Sequence, residues 1–138
     1  IRVMNLAETI QERMKGFFPE LLGVKLIEAT PDCIKAELEA RGEICTLPGI
    51  IHGGAVMAFA DTLGAVAAVL NMPPNNRTTT IESKTNFFRA LRSNGKIVGE
   101  CTPLHKGKTT MVWQTRVTDE NDKLAAQVIQ THIVIPNG

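Results

Sequence analysis

The chain has 138 residues, 43% of them hydrophobic, with 15 basic and 14 acidic side chains and a formal charge of +1. That length and apolar content suit one folded domain, residues 1–138, able to bury a core without disulfide or metal staples, and they exclude a disordered chain. The near-neutral balance, with neither sign gathered into runs, argues against a nucleic-acid partner.

In chain order, Leu6, Ile10 and Met14 recur every fourth residue and predict a helix over 4–14, ended by Phe17, Phe18 and Pro19, whose apolar surface is expected to cover something. Strands follow at 21–29 and 33–40 around the turn Thr30-Pro31-Asp32; in the second, Ile34, Ala36, Leu38 and Ala40 alternate with charged residues. Residues 41–51 carry Gly42, Pro48 and Gly49 and read as a loop. A long helix spans 54–71, apolar nearly all round and stopped by Pro73-Pro74; such a helix belongs inside a protein. Four strands complete the chain at 78–88, 96–104, 109–119 and 123–135, separated by polar turns that indicate an antiparallel meander. The class is therefore α+β, with one curved antiparallel sheet wrapped around the central helix. Such a sheet leaves one face and one edge open, which dimerisation by sheet extension would close.

Cys33, Cys45 and Cys101 are odd in number, far apart and form no Cys-x-x-Cys pair, so a disulfide framework and a zinc site are both unexpected and a reducing, cytoplasmic setting is expected. His105 and His132 share no metal-ligand spacing with His52; no metal is expected, and both read as incidental. The first fifteen residues mix charges unlike a secretory leader. The apolar stretch 53–70 is interrupted by Asp61 and rich in Ala and Gly, so it is read as core, not as a membrane span.

The segment Pro48-Gly-Ile-Ile-His52-Gly53-Gly54, running into a helix with Asp61, carries the chemistry. Glycines at a helix start let backbone approach a ligand, and the first amides of a helix, unpartnered and at its positive end, suit a developing oxyanion. A carboxylate at position 61, among Phe59, Ala60 and Leu63, is costly to bury unless it has a role or a partner. Nine residues separate His52 from Asp61, roughly 11–13 Å along a helix. If both serve one site, a second subunit supplies one of them. Thr78, Thr79 and Thr80 open the following strand, and a hydroxyl there could orient water beside Asp61. Arg89, Arg92, Lys106 and Lys108 lie near strand ends and suit phosphate groups.

At His52-Gly53-Gly54 with Asp61 nine residues after the histidine, the chain resembles the hotdog-fold acyl-CoA thioesterases, in the phenylacetate-degradation branch of the 4-hydroxybenzoyl-CoA thioesterase superfamily. The likeness extends through the helix signature 49–68, the strand 80–89 and the turn 104–109. It implies a hotdog fold and hydrolysis of an acyl-CoA, with coenzyme A as part of the substrate and no separate cofactor. It implies Asp61 as general base or nucleophile, Gly53 N–H polarising the thioester carbonyl, His52 positioning the thioester, and Thr80 holding the water. Phe88, Arg89, Arg92, Lys106, Gly107 and Lys108 match stretches that contact the coenzyme A nucleotide. The assembly implied is a homodimer with shared sites, paired into a homotetramer, with neither membrane nor nucleic acid as partner. Where many relatives have Asn or Gln six positions before the histidine, this chain has Thr46. Two other functions fit the fold: a non-catalytic acyl-CoA-binding module, and an acyl-CoA hydratase, which would need an acid–base pair that Asp61 alone does not supply.

Overall fold

A computed structural model describes residues 3–138. Helix α1 spans Leu6–Arg13, capped by Asn5, whose side chain accepts from Glu8 N–H at 2.9 Å. The Phe17-Phe18-Pro19 segment does not simply end it. Pro19 starts a second helix, α2, over Phe18–Leu22, and Gly23 stops it in the left-handed conformation (φ 95°). This pairing of an N-terminal proline with a C-terminal glycine marks a helix. The first strand, expected from residue 21, accordingly begins only at Lys25. The rings of Phe17 and Phe18 are exposed, not covering the core.

The strands are β1 Lys25–Thr30, β2 Cys33–Glu39, β3 Cys45–Thr46 and β4 Ile50–Ile51, then β5 Asn76–Phe87, β6 Lys96–Lys106, β7 Thr110–Thr118 and β8 Leu124–Pro136. Between β4 and β5 runs the central helix α3, Gly53–Leu70. β3 and β4 form a small hairpin inside the segment expected to be loop, and it delivers the chain to the start of α3. The other six strands make one antiparallel sheet in the order β1-β2-β6-β7-β8-β5. β5, twelve residues long, therefore forms one edge, and no strand among the described residues pairs with its outer side.

α3 lies across the inner face of this sheet. Val56, Phe59, Ala60, Leu63, Gly64, Ala67 and Ala68 are its buried residues, a spacing of three and one that traces one helical stripe. Two glycines set how closely helix and sheet approach. A Cβ at Gly99 on β6 would stand 2.8 Å from the Phe59 ring, and one at Gly64 would stand 1.6 Å from Gln130 Nε2 on β8. Trp113, Ile34, Leu38 and Ile97 fill the space around Phe59 and Leu63 as the fully buried core. The helix is not enclosed on all sides as its composition suggests. Gly54, Met57, Asp61 and Val69 look out from the chain on the side away from the sheet.

Candidate active site

His52 is the N-cap of α3, and its Nδ1 accepts a hydrogen bond from Gly54 N–H at 2.8 Å. A neutral imidazole that accepts through Nδ1 carries its proton on Nε2, so His52 presents an N–H donor outward. Its backbone is held from behind, because His52 N–H donates to Ile44 O at 2.9 Å. Ala55 and Val56 N–H both donate to His52 O. Among the described residues no acceptor engages Gly53 N–H, which is left as the open donor at the positive end of an 18-residue helix.

Gly53 is walled on one side by β5. A Cβ at this position would lie 3.3 Å from Cζ of Phe87. Phe87 to Leu91 and Gly53 line a cleft of about 430 Å³. Phe88 and Arg89 are exposed and line it, their backbone held by N–H donation to Ala125 O; Arg92 follows, bridged to Ile50.

Asp61 is two turns further along α3. It is exposed in the single chain and has no hydrogen-bond or ion-pair partner among the described residues, so the expectation of a buried carboxylate does not hold for one subunit. Its separation from Gly53, eight residues, is about 12 Å along the helix. The two groups cannot meet one atom within this chain. Thr80 is half-buried on β5, opposite His132 of β8 and beside the bulge at Ile81. Thr46 is exposed on β3, with its carbonyl accepting from Gly49 N–H at 2.8 Å.

The basic residues do not gather in one place. Phe88 and Arg89 sit where β8 begins, beside Ala125, whereas the Lys106-Gly107-Lys108 turn sits where β8 ends: Gly107 N–H donates to Thr110 O, and Thr110 pairs with Ile133. Lys106 is also engaged by Asp32 at 2.6 Å and stands 6.0 Å from the Trp113 ring centre. Within one chain these two groups are at opposite ends of the sheet.

His132, read from the sequence as incidental, is 1% exposed on the inner face beneath α3, with both ring nitrogens unpartnered among the described residues. Burial holds its pKa below the usual 6.5, while the Asp61 carboxylate pulls it upward. The alternation Val128, Gln130, His132, Val134 along β8 is the signal that places it inside. Cys101, by contrast, is a packing residue: burial pushes its thiol up to about 11.

A model of the thioesterase superfamily matches residues 48–126, more than half of the chain, including the His-Gly-Gly turn, α3, β5 to β7 and the first residues of β8. The chain belongs to the thioesterase superfamily. It is 27% identical to the 1,4-dihydroxy-2-naphthoyl-CoA hydrolase of Escherichia coli over 85% of each chain. It is 28% identical to the proofreading thioesterase EntH of Cronobacter turicensis over 84% of each. The fold superposes on a glutamine-to-alanine variant of thioesterase PA1618 from Pseudomonas aeruginosa with TM-score 0.90 at 25% identity, covering 98% of this chain and 97% of that one. A thioesterase from Haemophilus influenzae gives TM-score 0.89 over 99% and 94%. The arrangement of α3 within the sheet is thus the hotdog fold, and the family's general reaction is hydrolysis of a thioester.

Proposed function

We propose that this thioesterase hydrolyses an acyl-CoA to a free carboxylic acid and coenzyme A at a site shared between two subunits. The observation that carries the reading is the open Gly53 N–H, left unpartnered while His52 occupies Gly54 N–H. It is a fixed donor at a helix start, and such a donor suits the carbonyl oxygen of a thioester as negative charge develops on it.

In this reading Asp61 of the other subunit takes a proton from water as the water oxygen bonds to the thioester carbon. Gly53 N–H holds the oxyanion that forms. Its collapse breaks the carbon–sulfur bond, and the departing thiolate takes up a proton, leaving acid and thiol. Direct attack by Asp61, giving an anhydride that water then opens, uses the same groups. Thr80, half-buried on β5, holds the water; Thr46 stands where a stronger hydrogen-bonding side chain would help polarise the carbonyl.

Two features support the shared site. The eight-position step from Gly53 to Asp61 keeps them about 12 Å apart in one chain. The long open edge of β5 and the uncovered side of α3, with exposed Met57 and Val69, give a second copy a surface to cover. Pairing of such dimers into a tetramer would bring Lys106, Gly107 and Lys108 of one subunit toward Phe88, Arg89 and Arg92 of another, around the coenzyme A phosphates. Of these, Lys108 is freer than Lys106, which Asp32 already engages.

The test is thiol release from a panel of acyl-CoAs, aliphatic and aromatic, by the wild type and Asp61→Asn. Turnover lost in the variant supports the reading. A folded protein that binds the panel but releases no thiol is the non-catalytic module instead.

A further inference from the structure

His132 is a buried polar side chain to which the reaction as described gives no work. Its ring is 1% exposed, and neither Nδ1 nor Nε2 has a partner among the described residues. A buried imidazole with both nitrogens unpaired has lost its hydrogen bonds to water and gained none, so its presence calls for a reason. Packing alone is a poor one, because an apolar residue of similar size fills such a place without that loss.

The pairing of β5 with β8 sets His132 directly opposite Thr80. Opposed residues project to the same face, with Cβ atoms about 4.5–5.5 Å apart. Burial along β5 identifies that face as the inner one: Thr78 and Thr80 are half-buried, whereas Thr79 and Ile81 are exposed. Helix α3 passes over this part of β8, where Gln130 Nε2 donates to Ala60 O at 3.5 Å. Asp61 is the next residue of the helix, and its carboxylate acts on the His132 ring. Thr80, His132 and Asp61 therefore gather within one subunit, on the β5 side of the sheet.

A water held for attack donates both of its protons, one to the general base and one to a second acceptor, and keeps a lone pair for the thioester carbon. A threonine hydroxyl serves as that second acceptor when its own single proton is directed elsewhere. A neutral imidazole offers one acceptor nitrogen and one N–H, and burial, which disfavours the charged ring, keeps His132 neutral at pH 7. Gln130 Oε1, two positions along the same face of β8, is a buried acceptor that also has no partner among the described residues. Resting on the thioesterase reading above, we propose that His132 is a positioning residue for the attacking water: it accepts a hydrogen bond from the Thr80 hydroxyl, which leaves Thr80 Oγ1 to accept from the water while Asp61 of the same subunit takes the water's other proton. Gln130 Oε1 accepts from the ring's N–H and so fixes its tautomer. His132 neither gains nor loses a proton in the reaction. The water is thus held by one subunit, and the oxyanion donor Gly53 comes from the other.

The experiment is a double-mutant cycle on thiol release, read with the best substrate of an acyl-CoA panel that runs from acetyl to palmitoyl and includes benzoyl-CoA. The variants are Thr80→Val, His132→Leu and His132→Phe, with each His132 change also combined with Thr80→Val; the ring is replaced in two ways so that one folded variant suffices. His132→Gln keeps an acceptor and a donor at the same place. We expect His132→Leu and His132→Phe to lower kcat by about tenfold with KM within about twofold of wild type, and His132→Gln to stay within about threefold in kcat. With valine already at position 80, loss of the ring should cost no more than about twofold further, because the ring acts only through that hydroxyl. A purely structural role would cost the same factor whether or not the Thr80 hydroxyl is present, and that result overturns the proposal. So does a kcat within about twofold of wild type in the folded ring-free variants. Either outcome leaves thioester hydrolysis intact. A wild type that releases thiol from no member of the panel overturns the thioesterase reading itself, and this proposal with it.

Discussion

His52 Nδ1 accepts from Gly54 N–H at 2.8 Å, so one side chain both caps α3 and directs its other ring nitrogen outward. The two roles are separable. Asn also caps well, and loss of a capping side chain to Ala costs about 0.5–2 kcal/mol. His52→Asn should therefore keep nearly all of the wild-type stability in urea yet lose about 10²-fold in kcat, the scale of one catalytic donor. His52→Ala should lose both. Equal kcat in His52→Asn and wild type would confine His52 to capping.

The approach of α3 to the sheet depends on the absence of a side chain at Gly64, where a Cβ would collide with the buried Gln130 amide. Gly64→Ala should destabilise the protein by about 1–3 kcal/mol through overpacking, despite alanine's higher helix propensity. Gln130→Ala in the same chain should recover most of the loss, which a double-mutant cycle by urea unfolding measures.

Buried His132 makes stability depend on pH. Its folded pKa is lowered from 6.5, so above about pH 6.5 both folded and unfolded chains hold it neutral. As pH falls from there toward the lowered folded value, the unfolded chain takes a proton that the folded chain resists, and stability drains by at most about 1.4 kcal/mol per pH unit. Urea unfolding at pH 7.5 and 5.5 should show a steeper loss for wild type than for His132→Asn. Parallel losses would mean that carboxylates alone set the dependence.

The order of elements, the long helix and the antiparallel sheet were legible because β2, α3 and the final strands carry clean periodicities of two and of about 3.6 residues. α2 was not, because five residues are too few to show a period; its marks are only Pro19 and Gly23. The helix start at His52–Gly53 was legible from its paired glycines and the apolar run that follows. The surroundings of Asp61 were not: Phe59, Ala60 and Leu63 near it in sequence are buried, but α3 turns the carboxylate to the uncovered side, and sequence neighbours do not report the facing direction of one position. Metal-ligand spacing says nothing of His132, whereas its parity within β8 assigns it to the interior. The scatter of the basic residues is a matter of which end of β8 each turn meets, which pairing order decides and local sequence does not.

The most direct test of the shared site is complementation between two inactive variants. Asp61→Asn and His52→Ala are each purified, then unfolded together in equal amounts and refolded. If Asp61 and the His52–Gly53 turn meet across a two-fold interface, half of the dimers are hybrids and one of the two sites in each hybrid is intact, so the mixture should recover about a quarter of wild-type thiol release. A mixture no more active than either variant alone would contradict the account.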